Sequence, residues 1–545
     1  MKRVIIMSRL AAIIMALLEV FAALGALGDY NFSIDAGLPG NTVGNKVSNV
    51  NVWEMGTQFY NAQNVSENDI YDFVEYIQLM QCTGGNEQRD LFRNPADNSV
   101  KDDYDFTRLI ENCRGILALG AKPCLKTGNI PLKYTGEPEI GGFGVNVLPP
   151  DDYKVYYDYM SAMAKSLVDE FGRDEVLKWR FTVFTEYENA DWFKCETPGK
   201  TAEEFCKIYD YTVQALIDNI GEDVCVGAHS MTTTEGLWDE RIFIEHCASG
   251  KNYATGKKGS RLRYLTASYY ENRPGETGKR KNVVQTIDHL RKTAEKYGLD
   301  DLFYGIDEGR VLTSLSRGKD SDELMSRTVG FRWQAAYDAG IYARCIENDI
   351  EYFSMWSYKS DGLNSGNPTV SYHISSLISK WKNAKFLKTY RLPGGFIPGA
   401  EVKALSSIED GTLHIMAYNY RNNLDYDKTA KFNLRIRNLP FKDGKVTAKV
   451  YIIDDNCNYF DDWVKDREKY GIGDDCFAWS PDCPNIGANL KDNEARNLYY
   501  ENLEKEYAVK SKLTPSETEL EVKDGKLIIN DELGGNTVVF YEISQ

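Results

Sequence analysis

Two stretches of this sequence set glutamates where an apolar, strand-like run ends. In "WRFTVFTEYENADWF", residues 179–193, the run from Trp179 opens into Glu186 and Glu188 and then an aromatic pair, Trp192 and Phe193. In "LFYGIDEGR", residues 302–310, Glu308 follows a second such run. A lone loop glutamate means little, because solvated or ion-paired carboxylates are the commonest fate of that residue. Two carboxylates on separate rigid strand ends mean more. One kept protonated as an acid and one ionised as a nucleophile can flank and break a glycosidic bond. Glu188 is the rival acid, but it lies past the strand end, where positioning is looser.

Something must bring those strand ends together. From about Lys46 to Lys385, short apolar runs alternate with long amphipathic stretches, the pattern of β/α units and a parallel sheet. In one such unit Asp151 reads as a helix N-cap, Met160, Met163, Leu167, Val168 and Phe171 fall at helical spacing, and Gly172 is the stop. Candidate strands begin near residues 51, 77, 121, 179, 223, 263, 302 and 350, the eight that a closed (β/α)8 TIM barrel requires. In that fold the residues after each strand converge on one face, here Thr185, Glu186, His229, Tyr269, Tyr270, Glu308 and Trp356. His229 reads equally as a pocket or a structural histidine, and strand alternation lets one of Tyr269 and Tyr270 face the barrel mouth. Trp192 and Phe193 suit either a sugar face or packing under a loop.

After "RLPGG" at 391 the texture changes to alternating strands such as "TLHIMAYNY" and "TVVFYEIS", an antiparallel β-sandwich. The expected organisation is α/β: a signal peptide over 1–28, an N-terminal strand over 29–45 joining the sandwich, the barrel over 46–385 and the β-sandwich domain over 386–545.

The formal net charge of −17 argues against nucleic-acid or anionic-membrane partners, which need clustered Lys and Arg. Lys2, Arg3 and Arg9 precede an apolar run that ends in small residues at Ala26 and Gly28, which reads as a secretory signal, so a secreted or cell-surface location is expected. No later stretch is apolar enough to span a bilayer. Eleven cysteines with no CxxC pair indicate neither a full disulfide framework nor a zinc ribbon. Cys476 and Cys483 are the best disulfide candidates. Asp454 and Asp455 read as shaping a sandwich turn rather than binding a metal. No metal and no cofactor are expected.

Several stretches together resemble glycoside hydrolase family 39, the family of β-xylosidases and α-L-iduronidases. "DFTRLIENCRGILALGAKPCLKTGNIP" is similar to its segment around strand three, and "KWRFTVFTEYENADWF" with "TAEEFCKIYDYTVQALIDNIGEDVCVGAHS" to its acid/base strand, next helix and strand five. In the sandwich, "VYIIDDNCNYFDDW" is similar to a further family stretch. The resemblance implies that Glu186 is the general acid/base and Glu308 the nucleophile. By the same resemblance Tyr270 lies near the nucleophile and Trp356 serves as a sugar platform. The chain departs from the family where Thr185 replaces an Asn, Tyr187 a Pro, Gln81 and Thr83 an Arg and a His, and Ser268 a His. These departures leave the sugar open.

The expected function is therefore a secreted retaining glycosidase, exo-acting and xylosidase- or arabinosidase-like, taking oligosaccharide or polysaccharide substrates of plant or host glycans. A barrel that binds glycans without cleaving them is the alternative from another class, and an endo-acting glycanase is a third. Sugar, linkage, anomeric configuration and oligomeric state are not legible in the sequence.

Overall fold

The computed structural model describes residues 28–52, 55, 72–231, 239–271, 281–311, 331–355, 367–470 and 498–545. Eight parallel strands follow one another around a single sheet: β2 (Asn49–Val52), β3 (Tyr76–Leu79), β4 (Lys122–Thr127), β5 (Arg180–Val183), β6 (Cys225–Ser230), β7 (Tyr264–Glu271), β8 (Phe303–Val311) and β9 (Phe353–Met355). The sheet nearly closes, because the Phe353 N–H donates to the Lys46 carbonyl at 2.9 Å, bringing β9 back to the approach of β2.

Helices follow the strands: α1 (Thr107–Ala118), α2 (Tyr153–Phe171), α3 (Pro198–Asn219), α4 (Arg241–Ser249), α5 (Val283–Lys296), α6 (Arg332–Glu347) and α7 (Val370–Ser379). In α2 the inward stripe is Tyr156, Tyr159, Met160, Met163, Ala164 and Leu167. Its cap is Asp152, one residue later than the sequence reading. The Asp152 carboxylate accepts from Lys154 N–H at 2.7 Å, whereas Asp151 uses its own N–H on the Tyr134 carbonyl. Gly172 stops the helix at φ +83°.

The barrel interior is layered. At its base the Arg180 guanidinium lies 3.9 Å from the Tyr76 ring centroid and 4.8 Å from that of Phe303, and Tyr264 stacks on Phe303. Above them Lys126 and Asp307 form a buried ion pair at 3.0 Å, and Tyr352 donates to the other Asp307 oxygen at 2.5 Å. Gly305 makes room for Tyr352, since a Cβ there would sit 2.8 Å from the tyrosine ring. Glu186 and Glu308 form the next layer, at the strand C-termini.

Nine further strands form the second sheet: β1 (Tyr30–Thr42), β10 (Lys385–Leu392), β11 (Glu401–Glu409), β12 (Thr412–Tyr420), β13 (Ala430–Arg437), β14 (Gly444–Ile453), β15 (Ser516–Val522), β16 (Leu527–Leu533) and β17 (Thr537–Ser544), in the order β15-β14-β17-β12-β11-β10-β1-β13-β16. The outermost members, β15 and β16, are joined by a tight turn with a Lys523–Lys526 bridge, so the sheet folds back on itself as a sandwich. Its interior is filled by Phe32, Ile34, Leu413, Ile415, Phe432 and Leu434, among others. β1 pairs antiparallel with β10 and parallel with β13. The two domains meet across α6, which is buried on nearly every side: Trp333 and Tyr337 lie against Tyr420, and Arg344 pairs with Glu401 at 2.5 Å. Among the described residues no helix is long and apolar enough to cross a membrane. The nine described cysteines are all free, and Cys476 and Cys483 lie outside the described residues.

Where β5 ends, the backbone turns left-handed at Phe184, φ +63°, and again at Glu186, φ +45°. Phe184 is seated by Gly128, itself at φ +107°, where a Cβ would stand 2.6 Å from the Phe184 ring. Gly128→Ala should therefore destabilise the fold by about 1–3 kcal/mol, through backbone strain and a displaced ring. A thermal unfolding curve that overlays the parent's would contradict this account.

Candidate active site

Glu186 reaches inward from just past β5, and its two oxygens are engaged separately. Ser268 on β7 donates to Oε1 at 2.6 Å, and the Asn189 amide donates to Oε2 at 2.8 Å. The orientation of that amide follows from its other end, because Asn189 Oδ1 accepts the Asp191 N–H at 3.0 Å. Both carboxylate oxygens are acceptors, as in an ionised group.

Glu308 is placed by a register shift. Ala267 pairs with Ile306, but the next residue, Ser268, pairs with Glu308, so β8 carries an extra residue at Asp307. Strand alternation would send Asp307 and Glu308 to opposite faces; the shift lets Asp307 reach Lys126 within the barrel while Glu308 reaches Tyr270 at its mouth. The Tyr270 hydroxyl donates to Glu308 Oε1. The same Ser268 that pairs in register with Glu308 bonds Glu186, and the two carboxyls share this corner. Burial, followed by the charge of Glu186, pushes the Glu308 carboxyl up to about 8. At neutral pH the pair therefore holds one proton.

His229, on β6, lies wholly inside the barrel between Lys126 and Ser268. Its Nδ1 is 2.8 Å from Lys126 Nζ and its Nε2 is 2.9 Å from Ser268 Oγ. Burial and the neighbouring ammonium hold the ring neutral, with its pKa well below the usual histidine range. Asp307 shows the opposite balance. Burial works to raise its carboxyl, but Lys126, with His229 and Tyr352, outweighs that and holds it low.

The remaining expected residues divide. Thr185 is buried beside Glu186. Of the two tyrosines, Tyr270 meets a carboxylate, while Tyr269 is buried with its ring edge-on to Phe353. Trp192 stacks on Phe143 with centroids 4.6 Å apart, and Phe193 packs on Phe184, so both sit under the loop. Trp356 lies outside the described residues. Glu188 is fully buried, accepts from Ser230, and is pushed up to about 8 by burial. Glu186 is the charge that acts most strongly on Glu308. At strand two, where the sequence carries Gln81, Arg89 from the following loop donates to the Gln81 side chain. Asp454 accepts the Asn456 N–H in a turn, and Asp455 pairs with Arg332 at 2.8 Å. No group of three or more metal-ligating side chains gathers among the described residues. Sequence reasoning missed Lys126, Asn189 and Asp307. A lysine inside the apolar strand "AKPCLKT" was the one available signal.

Solved structures with the same fold include a monomeric beta-xylosidase from Caulobacter crescentus, at TM-score 0.66 and 15% identity over 94% of this chain and 99% of that one. A GH39 enzyme from Xanthomonas axonopodis pv. citri gives 0.66 at 13% identity, covering 95% of this chain and 98% of that one. In sequence, the chain is 26% identical over 153 residues to a beta-xylosidase of Geobacillus stearothermophilus, a segment spanning 28% of this chain and 29% of that relative. It is 28% identical over 102 residues to a beta-xylosidase of Caldicellulosiruptor saccharolyticus, spanning 18% of this chain and 20% of that relative. The family described as Glycosyl hydrolases family 39 matches residues 74–419, well over half of the chain, and the protein belongs to that family.

Proposed function

We propose that this protein is a secreted, retaining, exo-acting glycosidase that removes xylose-like sugars from plant or host glycans. The observation that carries the proposal is the pair of carboxyls at the ends of β5 and β8, held close enough that the charge of one raises the pKa of the other. Family membership and the beta-xylosidase names of the matched relatives support the sugar class. Glu308 is the nucleophile: one oxygen attacks the anomeric carbon and forms a glycosyl ester, while Glu186 gives its proton to the departing oxygen. Water then attacks the ester, Glu186 takes the water's proton as base, and the free carboxylate of Glu308 returns. The hydrogen bonds of the free protein favour an ionised Glu186 and a protonated Glu308, so the pair's single proton passes from Glu308 to Glu186 when substrate binds.

Glu308→Ala should abolish turnover of every glycoside, with azide restoring some activity and giving the inverted product. Glu186→Ala should spare dinitrophenyl glycosides and lose roughly 10²- to 10⁴-fold on substrates whose leaving group needs a proton. An inverted first product from the unsubstituted protein, read by NMR, would remove the nucleophile assignment.

The pH dependence has a defined sign. The pair must carry one proton, so kcat/KM for poor leaving groups should fall as pH rises through about 8, where the second carboxyl ionises. The same raised pKa costs stability. The folded state holds the proton more tightly than the unfolded one, so the contribution is fully present below the ordinary glutamate range and is lost as pH climbs to about 8. Glu308→Gln removes that loss, roughly 4–5 kcal/mol, and its melting temperature should decline less between pH 5 and 9 than the parent's. Parallel declines would show that Glu308 does not hold the raised proton.

A further inference from the structure

The buried polar groups under the carboxylate pair form a chain whose direction the chemistry fixes. An ammonium can only donate, so Lys126 Nζ donates to His229 Nδ1 at 2.8 Å, and that nitrogen must be the unprotonated one. The ring proton then lies on Nε2, facing Ser268 Oγ at 2.9 Å, which accepts it. Ser268, having accepted from the ring, donates its own hydroxyl proton to Glu186 Oε1 at 2.6 Å. At the far end the Asp307 carboxylate pairs with Lys126 at 3.0 Å and is fixed by Tyr352. Every member is buried, and each link runs the same way, from the cation to the carboxylate.

We propose that Lys126, His229 and Ser268 are positioning residues that set the acidity of Glu186, stabilising its ionised form and so fitting it to act as the base in hydrolysis of the glycosyl ester. The inference rests on the assignment of Glu186 as acid/base. The chain does not carry protons to solvent, because it ends on a buried ion pair. It acts by polarisation: each donor is strengthened by the one behind it, and the low dielectric of the barrel interior lets the field of Lys126 persist. Among the described residues, these groups face the chain. Lys126 on β4, Asp307 on β8 and Ser268 on β7 surround His229. Around Glu186 stand Ser268, Asn189 and the opposing Glu308, with Tyr270 behind Glu308. Two of these oppose the relay: Glu308, when ionised, disfavours charge on Glu186, and Asp307 reduces the net field of Lys126. The balance on Glu186 thus depends on the hydroxyl of Ser268 being held as a donor toward it. With the ring proton of His229 directed at its oxygen, the serine has only the carboxylate left to donate to.

The test reads Glu186 without relying on turnover. In a Glu308→Gln background, which leaves a single carboxyl in the pair, carbon-13 NMR of labelled glutamate follows the Glu186 titration, assigned by its loss in Glu186→Gln. Adding Ser268→Ala should raise the midpoint by about one pH unit, the worth of one hydrogen bond to a charged group. Ser268→Thr, which keeps the hydroxyl, should leave it near the parent value. Lys126→Met with Asp307→Asn removes cation and anion together, avoiding an uncompensated buried charge, and should raise the midpoint in the same direction. If the double variant does not fold, the serine pair still decides. In the intact pair, Ser268→Ala should also move the acidic limb of kcat for a dinitrophenyl glycoside upward, since that limb reports the base in ester hydrolysis. A midpoint that does not move in Ser268→Ala overturns the relay. Failure of the unsubstituted protein to cleave any aryl glycoside would instead strike the glycosidase assignment, and the NMR midpoints would still judge the relay.

Discussion

Two carboxyl groups that resist being charged together are the constraint around which this barrel mouth is built. Moving ions out of water costs several kcal/mol each, and bringing like charges together costs more, so one proton stays with the pair up to about pH 8. Which carboxyl carries it is decided by hydrogen-bond donors. Ser268 and Asn189 donate to Glu186 in fixed directions, and Tyr270 donates to Glu308. The backbone serves the same end. Left-handed residues at Phe184 and Glu186 turn one carboxyl inward, and the extra residue in β8 turns in the other without displacing Asp307.

The second domain bears on the site through α6. That helix follows β8, the strand that carries Glu308, and its outer surface is covered by β12 and β17 rather than by water. A barrel helix normally presents a polar stripe outward. Here Trp333 and Tyr337 are buried, and Tyr420 of the sandwich takes the place of solvent against them. The pairing of β1 with β10 and β13 ties the chain entering the barrel to the chain leaving it, so both ends of the barrel sequence anchor in one sheet.

Much of this was legible in the sequence because period and strand ends are local signals. The eight barrel strands fall where apolar runs alternate with amphipathic ones, and Glu186 and Glu308 stand out because charge follows each run directly. The residues that were missed depend on non-local geometry. Strand alternation puts Asp307 on the opposite face from Glu308, and only the register against β7 reveals the extra residue. Lys126 reads as a solvated lysine until β8 and β6 supply its partners from about a hundred or more residues away. Asn189 is a turn residue by type, and its role follows from where Glu186 points. Trp192 and Phe193 could be read either way until Phe143 and Phe184 were found against them, since stacking on a sugar and stacking on another ring use the same surface.

The buried ion pair of Lys126 and Asp307 does not make sense as a device for holding the barrel together. Replacing such a pair with apolar side chains of similar size is often neutral or stabilising, because desolvating two ions offsets their attraction. The layer below shows that this barrel can fill its interior with rings and a stacked guanidinium. The position of the pair explains more than its energy does. Asp307 immediately precedes Glu308, and Lys126 reaches Glu186 through two hydrogen-bonded side chains, so a single cation bears on both members of the carboxylate pair. A neutral core layer would pack as well and leave the charges above it to be set by solvent entering the mouth. With the ion pair in place, the field at the carboxyls comes from groups that substrate cannot displace.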